Sequence, residues 1–266
     1  MQNQQPSTLK EIRVHGTQDF PCAFYQTGTR IKGNMVKHHW HEEVELLYFS
    51  GGEFCLEVNM ERFNISEECF YVINPGELHS ISVEKNGGCV ENAVVFHMDM
   101  LSSAYALDQI QTNLIQPVQN GSIQFPRCLR KNEPAFEPVR KSYEEIRNVF
   151  GGDSFRENYY DGEAVTDDIT RQLFIKSALL RILAVLSANN LFEVTEKNHD
   201  HRIETIKTTL TYIQENYKEK IYIRDLAGLI GMNEQYFCRF FKKVIGRSPM
   251  EYVNEYRIKK AIHYLK

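Results

Sequence analysis

The strongest constraint on how this chain folds is a change of hydrophobic period near its middle. Up to about residue 99 the apolar residues come in short β-branched and aromatic runs: Glu45–Phe49 (ELLYF), Glu53–Val58 (EFCLEV), Cys69–Ile73 (CFYVI) and Ala93–Phe96 (AVVF). Between them stand SGG at 50–52, NPGE at 74–77 and NGG at 86–88, sequences that favour tight turns. Strands of that length at that spacing predict an all-β sandwich or barrel. From about Pro134 the spacing turns helical: Phe136–Phe150 predicts one helix, GGDSFRENYYDGEA (151–164) a loop, and Asp168–Asn189 a long second helix. Leu173, Phe174, Ala178, Leu180, Ile182, Leu183, Val185 and Leu186 make that second helix apolar almost all round, which implies burial on more than one side, against the barrel or a second copy. NNLFEVTEKNHDH (189–201) reads as a polar linker.

Composition narrows the class. The chain is 42% hydrophobic and 25% charged, as in a soluble globular protein, and no apolar run approaches the roughly 18 residues a membrane span needs. MQNQQPSTLKEIRV at the N-terminus has neither a basic start nor an apolar stretch, so no secretion signal is expected. Six cysteines without a CxxC pair fit reduced thiols in the cytoplasm. The net charge of −4 conceals an asymmetry: residues 200–266 hold 13 Lys and Arg against 8 Asp and Glu, a basic tail on an acidic body. Such a tail is compatible with an anionic partner and equally with a plain solvated surface.

The tail carries the more specific pattern. Ile203, Ile206, Leu210 and Ile213 share one helical face, and Lys218–Lys220 breaks it. Leu226, Ala227 and Ile230 then form the apolar face of a short helix, Gly231 suits a sharp turn, and Asn233 is a good N-cap for the next helix. There Phe237, Phe240, Phe241 and Val244 fall at i, i+3, i+4 and i+7 and should be buried. Glu234, Gln235, Cys238, Arg239, Lys242 and Lys243 should be exposed, and Gly246 closes the helix. Ser248-Pro249-Met250-Glu251 opens another helix with a capping box. Two helices joined by a tight glycine turn, the second basic outside, follow the helix-turn-helix plan, although a helical hairpin that reads no DNA has the same spacing.

The segment DLAGLIGMNEQYFCRFFKKVIGRSPMEYVNEYRIKKAIHYL resembles the DNA-binding domain of the AraC/XylS family of bacterial transcription regulators. Leu226-Ala227, Gly231-Met232, Phe237, Phe241-Lys242-Lys243, Gly246-x-Ser248-Pro249, Tyr252, Arg257, Ala261 and Leu265 carry the likeness. It implies base contacts from Gln235, Cys238 and Arg239, and backbone contacts from Lys242 and Lys243, in the major groove of double-stranded DNA. Arginine pairs bidentately with guanine and glutamine with adenine, whereas a cysteine reads poorly. Tyr222 stands where the family has a Ser or Thr N-cap, which predicts a less firmly held helix start. The family carries a second helix-turn-helix beyond the helix opened by Pro249, and with the sequence ending at Lys266 the expectation is the first unit alone, with weak DNA binding.

The other motif is HHWHEEVE at 38–45, with NPGELH at 74–79. His39-x-His41-x-x-x-Glu45 and Pro75-Gly76-x-x-His79 resemble the two motifs of cupin barrels, the sensor domain many AraC-type regulators carry. Three imidazoles and a carboxylate suit a divalent metal such as Fe, Mn, Ni, Zn or Cu. The same four groups suit a metal-free pocket for a polar ligand such as a sugar, or buried histidines that satisfy the backbone. His38 and Trp40 should face away from the other two by strand alternation. No GxSxG, Walker loop or GxGxxG points to another chemistry.

Together these features predict a multi-domain, cytoplasmic, homodimeric regulator that is not an enzyme. An N-terminal all-β cupin-like barrel (15–130) would sense a small-molecule effector. A helical linker and dimerisation segment (131–195) would follow, then an all-α helix-turn-helix domain (200–266) whose second unit is missing. Ligand contacts fall on His39, His41, Glu45 and His79, which are also the candidate metal ligands; no obligatory cofactor and no membrane partner are expected. A metal-dependent cupin enzyme, or a truncated sensor that sequesters effector, remain the alternatives.

Overall fold

The computed structural model describes residues 10–11, 13–29, 32–85, 89–105, 108–151, 160–161, 168–195, 201–245 and 247–264. The expected turn at 86–88, Gly246, Leu265 and most of the 151–164 loop lie outside them. The chain forms two compact units: Arg13–Lys37 with His41–Lys197, and Met1–Ile12 with His38–Trp40 and Asn198–Lys266.

In the larger unit β1 (Cys22–Thr29), β3 (Val44–Phe49), β6 (Cys69–Ile73) and β8 (Cys89–Phe96) make an antiparallel sheet. Two short strands, β10 (Cys128–Arg130) and β11 (Tyr160–Asp161), edge it in the order β10-β6-β3-β8-β1-β11. A second sheet runs β2-β7-β4-β5, from β2 (Gly33–His39), β7 (His79–Val83), β4 (Phe54–Val58) and β5 (Glu61–Ile65). The expected strands are all present, and this is the barrel the patterning implies. Strand alternation divides the six-stranded sheet between two cores. Leu47, Phe49, Tyr71, Ala93 and Val95 face the second sheet and cluster with its Phe54, Leu56 and Ile81. Val44, Leu46, Tyr48, Phe70, Val94 and Phe96 face the helices.

Those helices are α2 (Phe136–Val149) and α3 (Ile169–Ala188); α1 is a short turn (Gln116–Gln119) after the segment from Met98. The stripe Phe136, Val139, Tyr143 and Ile146 on α2 packs with Ile175, Ala178, Leu179, Ile182, Leu183 and Leu186 on α3. Each large side chain so buried contributes about 1.5–3 kcal/mol. Asp168 caps α3, its carboxylate accepting from Thr170 N (2.9 Å) and Arg171 N (3.2 Å). The long helix is buried on one face rather than nearly all round. Ile169, Leu173, Phe174 and Leu180 are exposed, because α2 and the sheet cover only the 175–182–186 side. Two further segments expected to be irregular carry strand: Tyr160–Asp161 joins the sheet as β11, and Glu193–Val194 (β12) pairs with Ile123–Gln124 (β9) inside the presumed linker.

The smaller unit contains α4 (His201–Asn216), α5 (Ile223–Leu229), α6 (Glu234–Ile245) and α7 (Pro249–Tyr264). Its core is Ile206, Leu210, Ile213, Leu226, Ala227, Phe237, Phe241, Val244, Tyr252, Val253 and Tyr256. Phe241 lies between Phe237 (5.6 Å between centroids) and Tyr252 (5.9 Å). Phe240, expected in this core, is only half-buried.

Candidate functional site

In the barrel unit the two motifs meet. His41 follows β2, Glu45 lies on the inward face of β3, and His79 opens β7, so that one donor atom from each lies within 4.8 Å of the others. Glu45 Oε2 stands 2.9 Å from His79 Nε2 and 3.4 Å from His41 Nε2. The opposite nitrogen of each ring meets a carbonyl: His79 Nδ1 is 2.9 Å from Glu77 O, and His41 Nδ1 is 3.2 Å from Glu43 O. A carbonyl only accepts, so Nδ1 carries the proton and Nε2 is turned to the carboxylate. That contact is favourable only with a proton or a cation between nitrogen and oxygen. Burial works against ionisation of Glu45, but hydrogen bonds and positive charge from His41 and His79 outweigh it and hold the carboxyl well below its usual range. The cluster therefore offers a fixed set of donors and acceptors suited to a polar ligand or a divalent ion.

His39, the last residue of β2, belongs to the smaller unit, where its Nε2 lies 3.2 Å from Glu11 Oε2. Trp40 is buried in that unit too, with Lys10 Nζ 4.8 Å and Lys207 Nζ 5.0 Å from its ring centroid.

The barrel site is held in place by the NPGE turn already legible in the sequence and by partners that had no signature there. The NPGE turn bends at Gly76 (φ +77°), whose N–H donates to His41 O at 2.7 Å. The buried Glu77 carboxylate accepts from Asn74 N (2.8 Å), Asn59 Nδ2 (3.2 Å) and Arg127 Nη1 (2.7 Å), and Arg127 Nη2 completes a bidentate pair. The same Glu77 supplies the carbonyl that orients His79. His15 lies edge-on to His41 (5.1 Å between centroids), with its Nδ1 2.8 Å from Tyr25 Oη. Fifty residues separate Glu77 from Arg127, and His15 stands in no motif; only a folded barrel joins them.

On the smaller unit the helix-turn-helix is built as its sequence predicts. Gly231 adopts φ +63°, Asn233 Oδ1 accepts from Gln235 N at 2.9 Å, and Glu251 Oε2 accepts from Ser248 N at 2.7 Å. Gln235, Arg239, Lys242 and Lys243 are exposed along α6; Cys238, expected among them, is half-buried. Tyr222 gives α5 no hydroxyl cap, but Asp225 Oδ2 accepts from Tyr222 N at 3.1 Å and holds the helix start from within. Arg257 is structural here: Nε donates to Tyr217 O (2.8 Å) and Nη2 to Glu219 O (2.6 Å), just past the end of α4. Tyr236, exposed on α6, was not singled out in the sequence.

A barrel with a buried donor cluster, on one chain with a helix-turn-helix, defines a ligand-responsive DNA-binding regulator. Residues 27–147 match the AraC-like ligand binding domain, and residues 213–254 match the bacterial regulatory helix-turn-helix proteins of the AraC family. The chain is 26% identical over 262 residues to the uncharacterized HTH-type transcriptional regulator YdeC of Bacillus subtilis, covering 96% of this chain and 81% of that one. It is 22% identical to the HTH-type transcriptional activator RhaS of Citrobacter koseri, over 89% and 76% of the two chains. Identity to the melibiose operon regulatory protein of Escherichia coli is 23%, over 84% and 69%. The chain belongs to the AraC family of transcription regulators, with the ligand-binding and helix-turn-helix domains of that family.

Proposed function

We propose that the barrel (15–130) binds a small polar effector through His41, Glu45 and His79. In the tail (200–266), α6 reads DNA through Gln235, Cys238 and Arg239 and is positioned on the phosphates by Lys242 and Lys243. The chain acts in the cytoplasm, without catalytic turnover. Among the described residues no helix is long and apolar enough to cross a membrane. The segment 131–195 dimerises the protein through α3, whose exposed Ile169, Leu173 and Leu180 form an apolar stripe alongside the face buried on α2. Effector binding shifts a pre-existing balance between DNA-competent and DNA-incompetent states.

The observation that carries this reading is the convergence of Glu45 with the Nε2 atoms of His41 and His79, each ring fixed by a backbone carbonyl. A sugar suits such a cluster, since its hydroxyls donate to the carboxylate and accept from imidazole; the likeness to a melibiose operon regulator supports that class. A divalent ion is the second reading, favoured by the same Nε2 geometry. There His41, Glu45 and His79 would hold it, and the ion would supply a Lewis-acidic contact for a ligand oxygen.

Thermal unfolding against neutral sugars, sugar acids and divalent metal salts tests the choice. A ligand present at a hundred times its Kd stabilises by about 2.7 kcal/mol. The effector reading expects one organic class to raise the Tm of the chelator-treated protein and to lose that effect in His79→Ala. Stabilisation by metal alone selects the second reading, and stabilisation that survives His79→Ala moves the site elsewhere.

A further inference from the structure

The effector site leaves a second reactive cluster unused, on the edge of the six-stranded sheet. β10 pairs with β6 so that Cys128 stands opposite Tyr71 and Arg130 opposite Cys69. The four side chains therefore share one face, with Cys128 and Cys69 on its diagonal. Both thiols belong to the apolar cluster between the two sheets; Cys69 is buried and Cys128 half-buried. We propose that Cys128 and Cys69 form an oxidant-responsive thiol pair, in which Cys128 attacks a hydroperoxide and Cys69 resolves the product to a disulfide.

Three groups converge to stabilise a thiolate at Cys128. A hydrogen bond from Cys69 lowers its pKa most; burial opposes this, and the Tyr71 hydroxyl and the Arg130 charge add to the lowering, which brings it down to about 7. The same contact pushes the Cys69 thiol up, so the pair divides into a nucleophile and a protonated partner. Among the other described thiols, Cys55 is buried and accepts from Arg62 Nε at 3.3 Å, without a second thiol across the strand. Cys22 is driven up by burial alone, and Cys238 by burial and Glu234.

The chemistry balances with a peroxide as sole oxidant. The Cys128 thiolate attacks one peroxide oxygen, the O–O bond breaks, and the departing hydroxide takes up a proton as water, leaving a sulfenic acid. The Cys69 sulfur then attacks the sulfenic sulfur, its proton leaves with the expelled hydroxide as a second water, and the S–S bond forms. Two thiols lose two electrons, and the peroxide gains them. Diagonal neighbours across antiparallel strands stand about 7–8 Å apart at Cα. A disulfide spans about 4.4–6.8 Å, so closure draws β10 toward β6 by roughly an ångström. β10 is three residues long and terminal in its sheet, so the shift is small and local. It begins one residue after Arg127, the anchor of Glu77, which places the oxidised state beside the support of the effector site.

The test uses the full chain. Iodoacetamide alkylation of Cys128, followed by peptide mass spectrometry across pH, should show a midpoint near 7 rather than the about 8.5 of an ordinary thiol. Substoichiometric hydrogen peroxide, quenched with N-ethylmaleimide, should give a Cys69–Cys128 linked peptide before any other thiol is lost. Cys69→Ser should instead leave a dimedone-reactive sulfenic acid on Cys128. A midpoint at or above 8.5 overturns the proposal, as does peroxide consumption at other cysteines while both of these stay free. Both wild-type measurements hold even where the serine variant fails to fold.

Discussion

Replacing Arg127 with Met probes the support of the effector site without touching it. Arg127 is the cation of the Glu77 pair and also donates from Nη1 to Val72 O at 2.6 Å. Its removal leaves the Glu77 carboxylate with two neutral donors, Asn74 N and Asn59 Nδ2, at a residue 7% exposed. Breaking a fully buried pair costs about 3–5 kcal/mol. Arg127 is itself 25% exposed, so solvent screens part of the charge and a loss of about 2–3 kcal/mol is expected. Urea unfolding of the wild type, Arg127→Met, Glu77→Gln and the double variant measures both the loss and the coupling. The double variant should be less destabilised than the sum of the singles by more than about 1 kcal/mol, since glutamine removes the stranded charge. Because Glu77 O orients His79, Arg127→Met should also weaken effector-induced stabilisation while DNA affinity stays unchanged. A loss under about 0.5 kcal/mol, or strict additivity, refutes the view that this pair holds the turn.

Other expectations follow from single groups. Glu91 is buried in the barrel, and burial followed by the charge of Glu45 raises its carboxyl well above the usual range. A raised folded-state pKa means that its stabilising share is complete below about pH 4.3 and lost as pH rises toward the folded value, at about 1.4 kcal/mol per unit. Glu91→Gln should therefore stabilise the protein at neutral pH and flatten that slope in pH-dependent urea unfolding. Gly231→Ala meets no neighbour within 4 Å but forces alanine to φ +63°, and should cost about 1–2 kcal/mol in thermal unfolding. Lys242→Ala should reduce the log–log salt slope of DNA binding by about 0.9, and an unchanged slope removes it from the phosphate contacts.

What was legible in the sequence follows from where the information resides. ELLYF, EFCLEV, CFYVI and AVVF announce strands because both faces of each are apolar and both are buried. β1 (CAFYQTGT) and β5 (ERFNI) mix polar with apolar residues; Glu61 and Arg62 of β5 face solvent and leave no hydrophobic run to read. The tail was legible nearly residue by residue because its pattern is local: Gly231, Asn233 and the Phe237–Phe241–Val244 stripe act within a few residues of each other. The histidine motifs were legible for the same reason. The groups that hold them did not appear, since Arg127 meets Glu77, and Cys128 meets Cys69, only through strand pairings across some fifty residues or more. The exposed side of α3 also escaped, because composition reports that a helix is apolar, not which neighbour covers each side.

In the proposed division of labour α6 reads DNA and the barrel cluster reads the effector. The most direct measurement is a fluorescence-anisotropy titration of wild type, Arg239→Ala and His79→Ala against a DNA fragment selected from random sequence, with circular dichroism confirming that each variant is folded. Arg239→Ala should lose about 1–3 kcal/mol of specific binding and relax one base position, while His79→Ala binds as the wild type does. A folded His79→Ala that no longer binds DNA, or an Arg239→Ala that binds undiminished, would contradict the account.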